Sequence, residues 1–171
     1  CKGVYSDEIK VLPLDLAKAD ELPEKAKTAK NFFNGIDILI NNGGISQRAF
    51  VIDTDLSVYR KIMEVDYFAP VQLTKLVLPG MLRRKTGQIV TLTSATGIIS
   101  TPYRSAYAAA KHALHGFFDA LHAEVYDSNL RVTLICPGYI QTNVSFNALT
   151  GSGKPQQKHD ADILKGMPVK K

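Results

Sequence analysis

The chain has 171 residues, which suggests one domain and leaves little room for a second. Hydrophobic residues make up 45% and charged residues 22%, an ordinary globular composition that excludes fibrous and low-complexity classes. The formal charge is +5, but the cations are spread along the chain, which argues against a nucleic-acid surface.

In chain order, residues 9–16 (IKVLPLDL) read as a short strand in which Pro13 marks an edge or an end. Residues 18–33 alternate charged and apolar positions and read as a helix. Residues 36–42 (IDILINN) form an apolar run that ends on polar residues, the pattern of a buried parallel strand. Residues 54–84 read as a helix, with Thr54-Asp55 as N-cap chemistry and apolar Leu56, Tyr59, Met63 and Tyr67 on one face. Pro70 should kink it, and Arg83-Arg84-Lys85 should close it as a solvated, cationic end suited to the helix dipole. Strands are predicted again at 88–94 (QIVTLTS) and 131–137 (RVTLICP), with the longest helix, 103–126, between them. After Gly151 the chain reads as a loop, a short helix, and the start of another helix at Met167-Pro168.

Alternating strands and helices predict a doubly wound α/β fold, a parallel sheet with helices on both faces. Ligands of such sheets bind beyond the carboxyl ends of the strands. That singles out Asp15, Asn41, Asn42, Ser94 and Pro137-Gly138. Cys1 and Cys136 are too few for a disulfide framework, and Cys136 is expected to be a buried thiol in a reducing compartment. No apolar run approaches a membrane span, and no signal peptide opens the chain. Residue 1 is Cys and not Met, and a polar turn precedes the first strand pattern. The expectation is a piece, truncated at both ends, that forms a single partial domain over residues 1–171.

Tyr107 and Lys111 are four apart on the predicted helix and share a face. A cation beside a phenol favours phenolate, so the pair can act as a general acid/base towards an alcohol or carbonyl. Ser94, at a strand end, could hydrogen-bond the substrate oxygen in the same cleft. Taken alone, a Tyr–Lys pair at this spacing is a common surface feature, and a serine at a strand end is unremarkable. The ordered set around them resembles the short-chain dehydrogenase/reductase family. Asn41-Asn42-Gly43-Gly44 is similar to its NNAG turn, Ser94 lies thirteen residues before the YxxxK of Tyr107 and Lys111, and Pro137-Gly138 with Thr142 resembles its PG motif. Asp15-Leu16 resembles the family's acidic dipeptide. The resemblance runs from about residue 9 to 150, and the stretches LPGMLRRKTGQIV and YRSAYAAAKHALHGFFDALHAE are similar to its dehydrogenase/reductase member-seven branch.

The resemblance implies hydride transfer between NAD or NADP and a small carbonyl or secondary alcohol. Tyr107 would exchange the proton, Lys111 would favour the phenolate and bind the nicotinamide ribose, and Ser94 would orient the carbonyl. Asp15 and the Leu16 backbone would touch the adenine, Asn41 and Gly43 would line the adenosine side, and Gly138 and Thr142 would sit near the nicotinamide. Asp66 stands where the family usually has an asparagine that holds a water in a relay to the lysine, and is carried as a fourth catalytic residue. The family's TGxxxGxG phosphate loop does not occur in this chain, so the choice between NAD and NADP is not legible.

The resemblance further implies a homodimer or homotetramer and an intracellular protein, cytoplasmic or associated with the endoplasmic-reticulum membrane, with any membrane contact made outside this chain. Two other readings stand beside the enzyme: a catalytically silent family member or fragment acting as a binding module, and a regulator that senses NAD(P). His112, His115 and His122 recur at helical spacing but lack the Cys or carboxylate cluster of a metal site, so they read as helix-surface residues. Phe117, Phe118, Leu121 and Val125 form an apolar stripe that suits either core packing or a subunit interface.

Overall fold

The computed structural model describes residues 8–169. Three strands, β1 (Ile38–Asn41), β2 (Gly87–Leu92) and β3 (Leu130–Ile135), pair in parallel in the order β1-β2-β3. The register places Leu39, Ile89 and Val132 side by side, and Asn41, Thr91 and Leu134 likewise. Because side chains alternate along a strand, these six residues share one face. That face carries the core: Ile89 packs with Val77, Met81, Leu114, Phe118, Leu121, Val125 and Leu130.

The helices over this face are α3 (Ala69–Arg84) and α4 (Ser105–Glu124), with α1 (Leu22–Phe32) beside α3. Phe118, Leu121 and Val125 belong to this intrachain core, and Phe117 meets Phe118 edge to face at 4.9 Å. Core packing thus accounts for the apolar stripe. The fold class is the expected α/β one with a parallel sheet. Of the two helical layers of a doubly wound sheet, the described residues build one, and Ile38, Ile40 and Ile135 on the opposite face are exposed.

The predicted helix at 54–84 resolves into α2 (Leu56–Met63), a π-helical turn at Glu64–Phe68, and α3. Pro70 has no N–H to donate to the Asp66 carbonyl four residues back, so the ladder cannot continue in α form. The bend is taken by the wider turn just before the proline, where Ala69 N–H donates to Glu64 O. Asp55 is the N-cap residue but makes no side-chain cap, while Thr54 Oγ1 donates instead to Phe50 O. At the far end Lys85 closes α3 in the left-handed conformation, and Arg84 reaches back to Ile36 O.

Three expectations are corrected. Residues 9–16 form no strand: Pro13 cannot donate to a ladder, and no described strand pairs with them, so Ile9, Val11 and Leu14 stand exposed. Met167–Pro168 is not a helix start but a strand, β5, parallel to β4 (Ile140–Gln141). Met167 N–H donates to Tyr139 O, and a Cβ on Gly166 would lie 2.5 Å from that same oxygen, so only glycine permits the approach. Cys136 is exposed, since it lies one residue past β3 where the sheet has ended; its sulfur meets Thr93 Oγ1 at 3.1 Å. Cys1 lies outside the described residues. The expected short helix is α5 (Ala161–Leu164).

Candidate active site

β2 ends at Leu92, and two residues later Ser94 caps a short helical turn, its Oγ accepting from Thr96 N–H at 3.1 Å. Tyr107 lies in the first turn of α4. The helix starts there because Gln47, fully buried after β1, offers Oε1 to the orphan N–H of Ala106 at 2.8 Å. Tyr59 of α2 adds a hydrogen bond to Ser105 Oγ at 2.8 Å. Both Ser94 and Tyr107 therefore border one cavity of about 410 Å³, together with Thr93, Pro137, Gly138, Tyr139 and Thr142. It lies beyond the carboxyl ends of β2 and β3, where the strand order predicts it.

Lys111, one turn along from Tyr107, has its Nζ 5.5 Å from the Tyr107 ring centroid. Lys111 is 5% exposed, and its ammonium donates to Leu92 O at 3.3 Å. Its counter-ion is Asp66 of the π-helical turn, 3.2 Å away and fully buried. Asp66 Oδ1 accepts from Ile45 N–H at 2.8 Å, which ties the turn to the loop after β1. Burial pushes the Asp66 carboxyl above its ordinary range, against the pull of Lys111 and of the Ile45 amide. The pair fits beneath the loop because residue 44 is glycine: a Cβ there would lie 2.9 Å from Asp66 Oδ2.

The remaining predicted residues separate. Leu16, Asn41 and Gly43 border a second cavity of about 430 Å³. Leu16 packs on Gly43, where a Cβ would meet its Cδ1 at 2.6 Å. The Asn41 side chain is spent on the core, donating to Thr74 at 3.3 Å and Thr91 at 3.1 Å. Asp15 borders neither cavity and caps its own turn through Ala17 N–H. Gly138 faces open space. Sequence reasoning missed Ser46, Arg48, Arg104 and Ile163, all of which border the Ser94–Tyr107 cavity. No periodicity marks them, since a loop, a helix start and a distant segment supply them. Among the described residues, no group of three or more His, Cys, Asp and Glu could hold a metal. His115 turns to Thr93 and Cys136.

A sequence profile described as short chain dehydrogenase matches residues 1–151. The chain belongs to that family. It is 49% identical over 156 residues to dehydrogenase/reductase SDR family member 7B of Rattus norvegicus, covering 91% of this chain and 48% of the relative. It is 48% identical over 157 residues to the SDR family protein 7-like of Drosophila melanogaster, covering 92% of this chain and 48% of that one. The chain thus spans about half the length of the curated relatives it matches. Among solved structures, a short-chain dehydrogenase from Streptomyces avermitilis superposes with a TM-score of 0.80 at 26% identity, over 95% of this chain and 59% of that one. A structure described as ElxO with NADP bound gives a TM-score of 0.75 at 26% identity, over 80% of this chain and 55% of that one. These likenesses confirm the α/β, Rossmann-like class of fold. Among the described residues, no helix is long and apolar enough to cross a membrane.

Proposed function

We propose that this chain forms the catalytic part of an NAD(P)-dependent oxidoreductase that interconverts a carbonyl and a secondary alcohol. The observation that carries the reading is the shared cavity: Ser94 and Tyr107, from separate elements, border one space, with the Lys111 ammonium packed behind the tyrosine ring. Its volume, about 410 Å³, falls within the usual span of small-molecule sites, roughly 300–1,000 Å³. NADP in the structural neighbour ElxO supports a nicotinamide cofactor here.

The open backbone of Gly138, with Thr142 beside it, suits a flat ring placed against the end of β3, and Leu16 and Gly43 offer an apolar wall for an adenine. When bound, the nicotinamide supplies or accepts the hydride. The chain supplies the rest. Ser94 Oγ orients the carbonyl oxygen, and the Tyr107 hydroxyl gives or takes its proton. Lys111 holds its ammonium beside the phenol ring, 5.5 Å from the centroid. Asp66 is shut away from the cavity and acts through Lys111, fixing where the ammonium sits.

The test is Tyr107→Phe in the complete protein, which removes the hydroxyl and keeps the ring. Turnover should fall by about two orders of magnitude or more, within the span for general acid/base groups. Near-normal turnover would remove Tyr107 from the reaction.

A further inference from the structure

The segment from Thr142 to Pro168 contributes Thr142, Val144 and Ile163 to the wall of the Ser94–Tyr107 cavity and is fastened at several points. β5 at its end pairs with β4 just before its start, and Leu149 N–H donates to Ser46 O while Arg48 N–H donates to Leu149 O. Its middle is fastened differently. Asp160 Oδ2 accepts from Arg48 Nε at 2.7 Å and from Arg104 Nη2 at 3.1 Å, with Arg48 Nη2 in ion-pair contact at 2.6 Å. The three side chains are 19%, 12% and 13% exposed. Arg48 is held in turn by Ser46 Oγ and Gln47 O, and Arg104 by Thr101 Oγ1. Burial raises the Asp160 carboxyl, but its bonds and charge contact with Arg48, with help from Arg104 and Gln156, hold it below the ordinary range.

Resting on the oxidoreductase reading, we propose that Asp160 is a positioning residue that sets the substrate-side wall of the cavity by clamping the 142–168 segment to Arg48 and Arg104. The two arginines come from separate elements and both border the cavity. Arg48 comes from the loop after β1, and Arg104 lies three residues before Tyr107. Three residues beyond Asp160, Ile163 is 7% exposed and borders the cavity with Tyr139 and Ile140. One carboxylate thus holds an apolar wall of the cavity that Ser94 and Tyr107 also border. Without it, two largely buried guanidinium groups face each other unpaired, which favours release of the segment. The wall contacts the substrate body and no reacting atom, so its loss weakens binding of substrate and transition state alike.

The experiment compares the complete protein with Asp160→Asn, Asp160→Glu and Arg104→Gln. Asp160→Asn should raise KM for the carbonyl substrate about tenfold, with kcat changed by less than about threefold. Asp160→Glu should recover part of that, and Arg104→Gln should fall between. Hydrogen exchange should speed up across 145–168 while amides of β2 and α4 keep their protection. A fall in kcat at constant KM, exchange that rises throughout the molecule, or a variant indistinguishable from the parent would each overturn the proposal. The exchange arm does not depend on turnover. A parent protein without hydride transfer would refute the oxidoreductase reading, and local loosening in Asp160→Asn would still report on the clamp.

Discussion

Gln47 offers the sharpest test of how the fold places Tyr107. Its side chain is fully buried and makes three hydrogen bonds: Oε1 accepts from Ala106 N–H at 2.8 Å, and Nε2 donates to Thr54 Oγ1 at 2.8 Å and to Ala49 O at 3.4 Å. Gln47→Leu keeps the volume and removes all three. The Ala106 N–H, one of the orphan donors of the first turn of α4, is then buried without a partner, at a cost of about 1–3 kcal/mol. Losing a cap of this kind costs about 1 kcal/mol in other helices, so about 2 kcal/mol is expected here. For a domain of this size each kcal/mol moves Tm by about 2–4 °C, giving a fall of about 4–8 °C. Thermal unfolding followed by circular dichroism measures it. Thr54→Val is the control, since it removes the hydroxyl that Nε2 and Phe50 O share, leaves Ala49 O as a partner of Nε2 and leaves the cap, and it should cost less than half as much. Tyr107 is the next residue after Ala106, so turnover of the complete protein should also drop by about tenfold through misplacement of the hydroxyl. A Gln47→Leu protein with parental Tm, or one no less stable than Thr54→Val, would refute the capping argument.

Further outcomes follow from the buried pair and the loop above it. Burial holds the Asp66 carboxyl above its unfolded value, so the stability it contributes is full in acid and is lost as pH rises through the folded value. Asp66→Asn stays neutral and lacks this loss, so its urea midpoint should gain on the parent from acid towards neutral pH; a constant difference would contradict the shift. Gly44→Ala puts a Cβ 2.9 Å from Asp66 Oδ2 and 3.4 Å from Lys111 Nζ, and should cost about 1–3 kcal/mol by denaturant unfolding. Gly43→Ala meets only the tip of Leu16 and should cost clearly less; equal losses would refute the reading of Gly44. The 171-residue chain by itself should bind NADH and NADPH weakly, because no glycine-rich turn within it offers amides to the pyrophosphate. Micromolar binding in calorimetry would show that other residues of the chain do that work.

Local pattern determined much about this protein. Runs of Ile, Val and Leu at 36–42, 88–94 and 131–137 mark the three strands, because parallel strands packed under helices favour apolar side chains. Spacing placed Tyr107 and Lys111 on one helix face, and the order of NNGG, Ser94, YxxxK and PG carried the family. Pro70 announced a break in the long helix, although whether a kink or a π-helical turn would take it depends on the packing around Asp66. What only the tertiary structure decided were contacts between residues far apart in sequence. Residues 9–16 have strand composition and no strand, since a ladder needs a neighbour to pair with. Asn41 sits at a strand end yet turns into the core, where Thr74 and Thr91 satisfy its amide. Asp66 finds Lys111 and Asp160 finds Arg48 and Arg104 across long stretches of chain. A charge shows in sequence, but its partner does not: pairing depends on burial, which strips away water and makes the nearest opposite charge the one that counts.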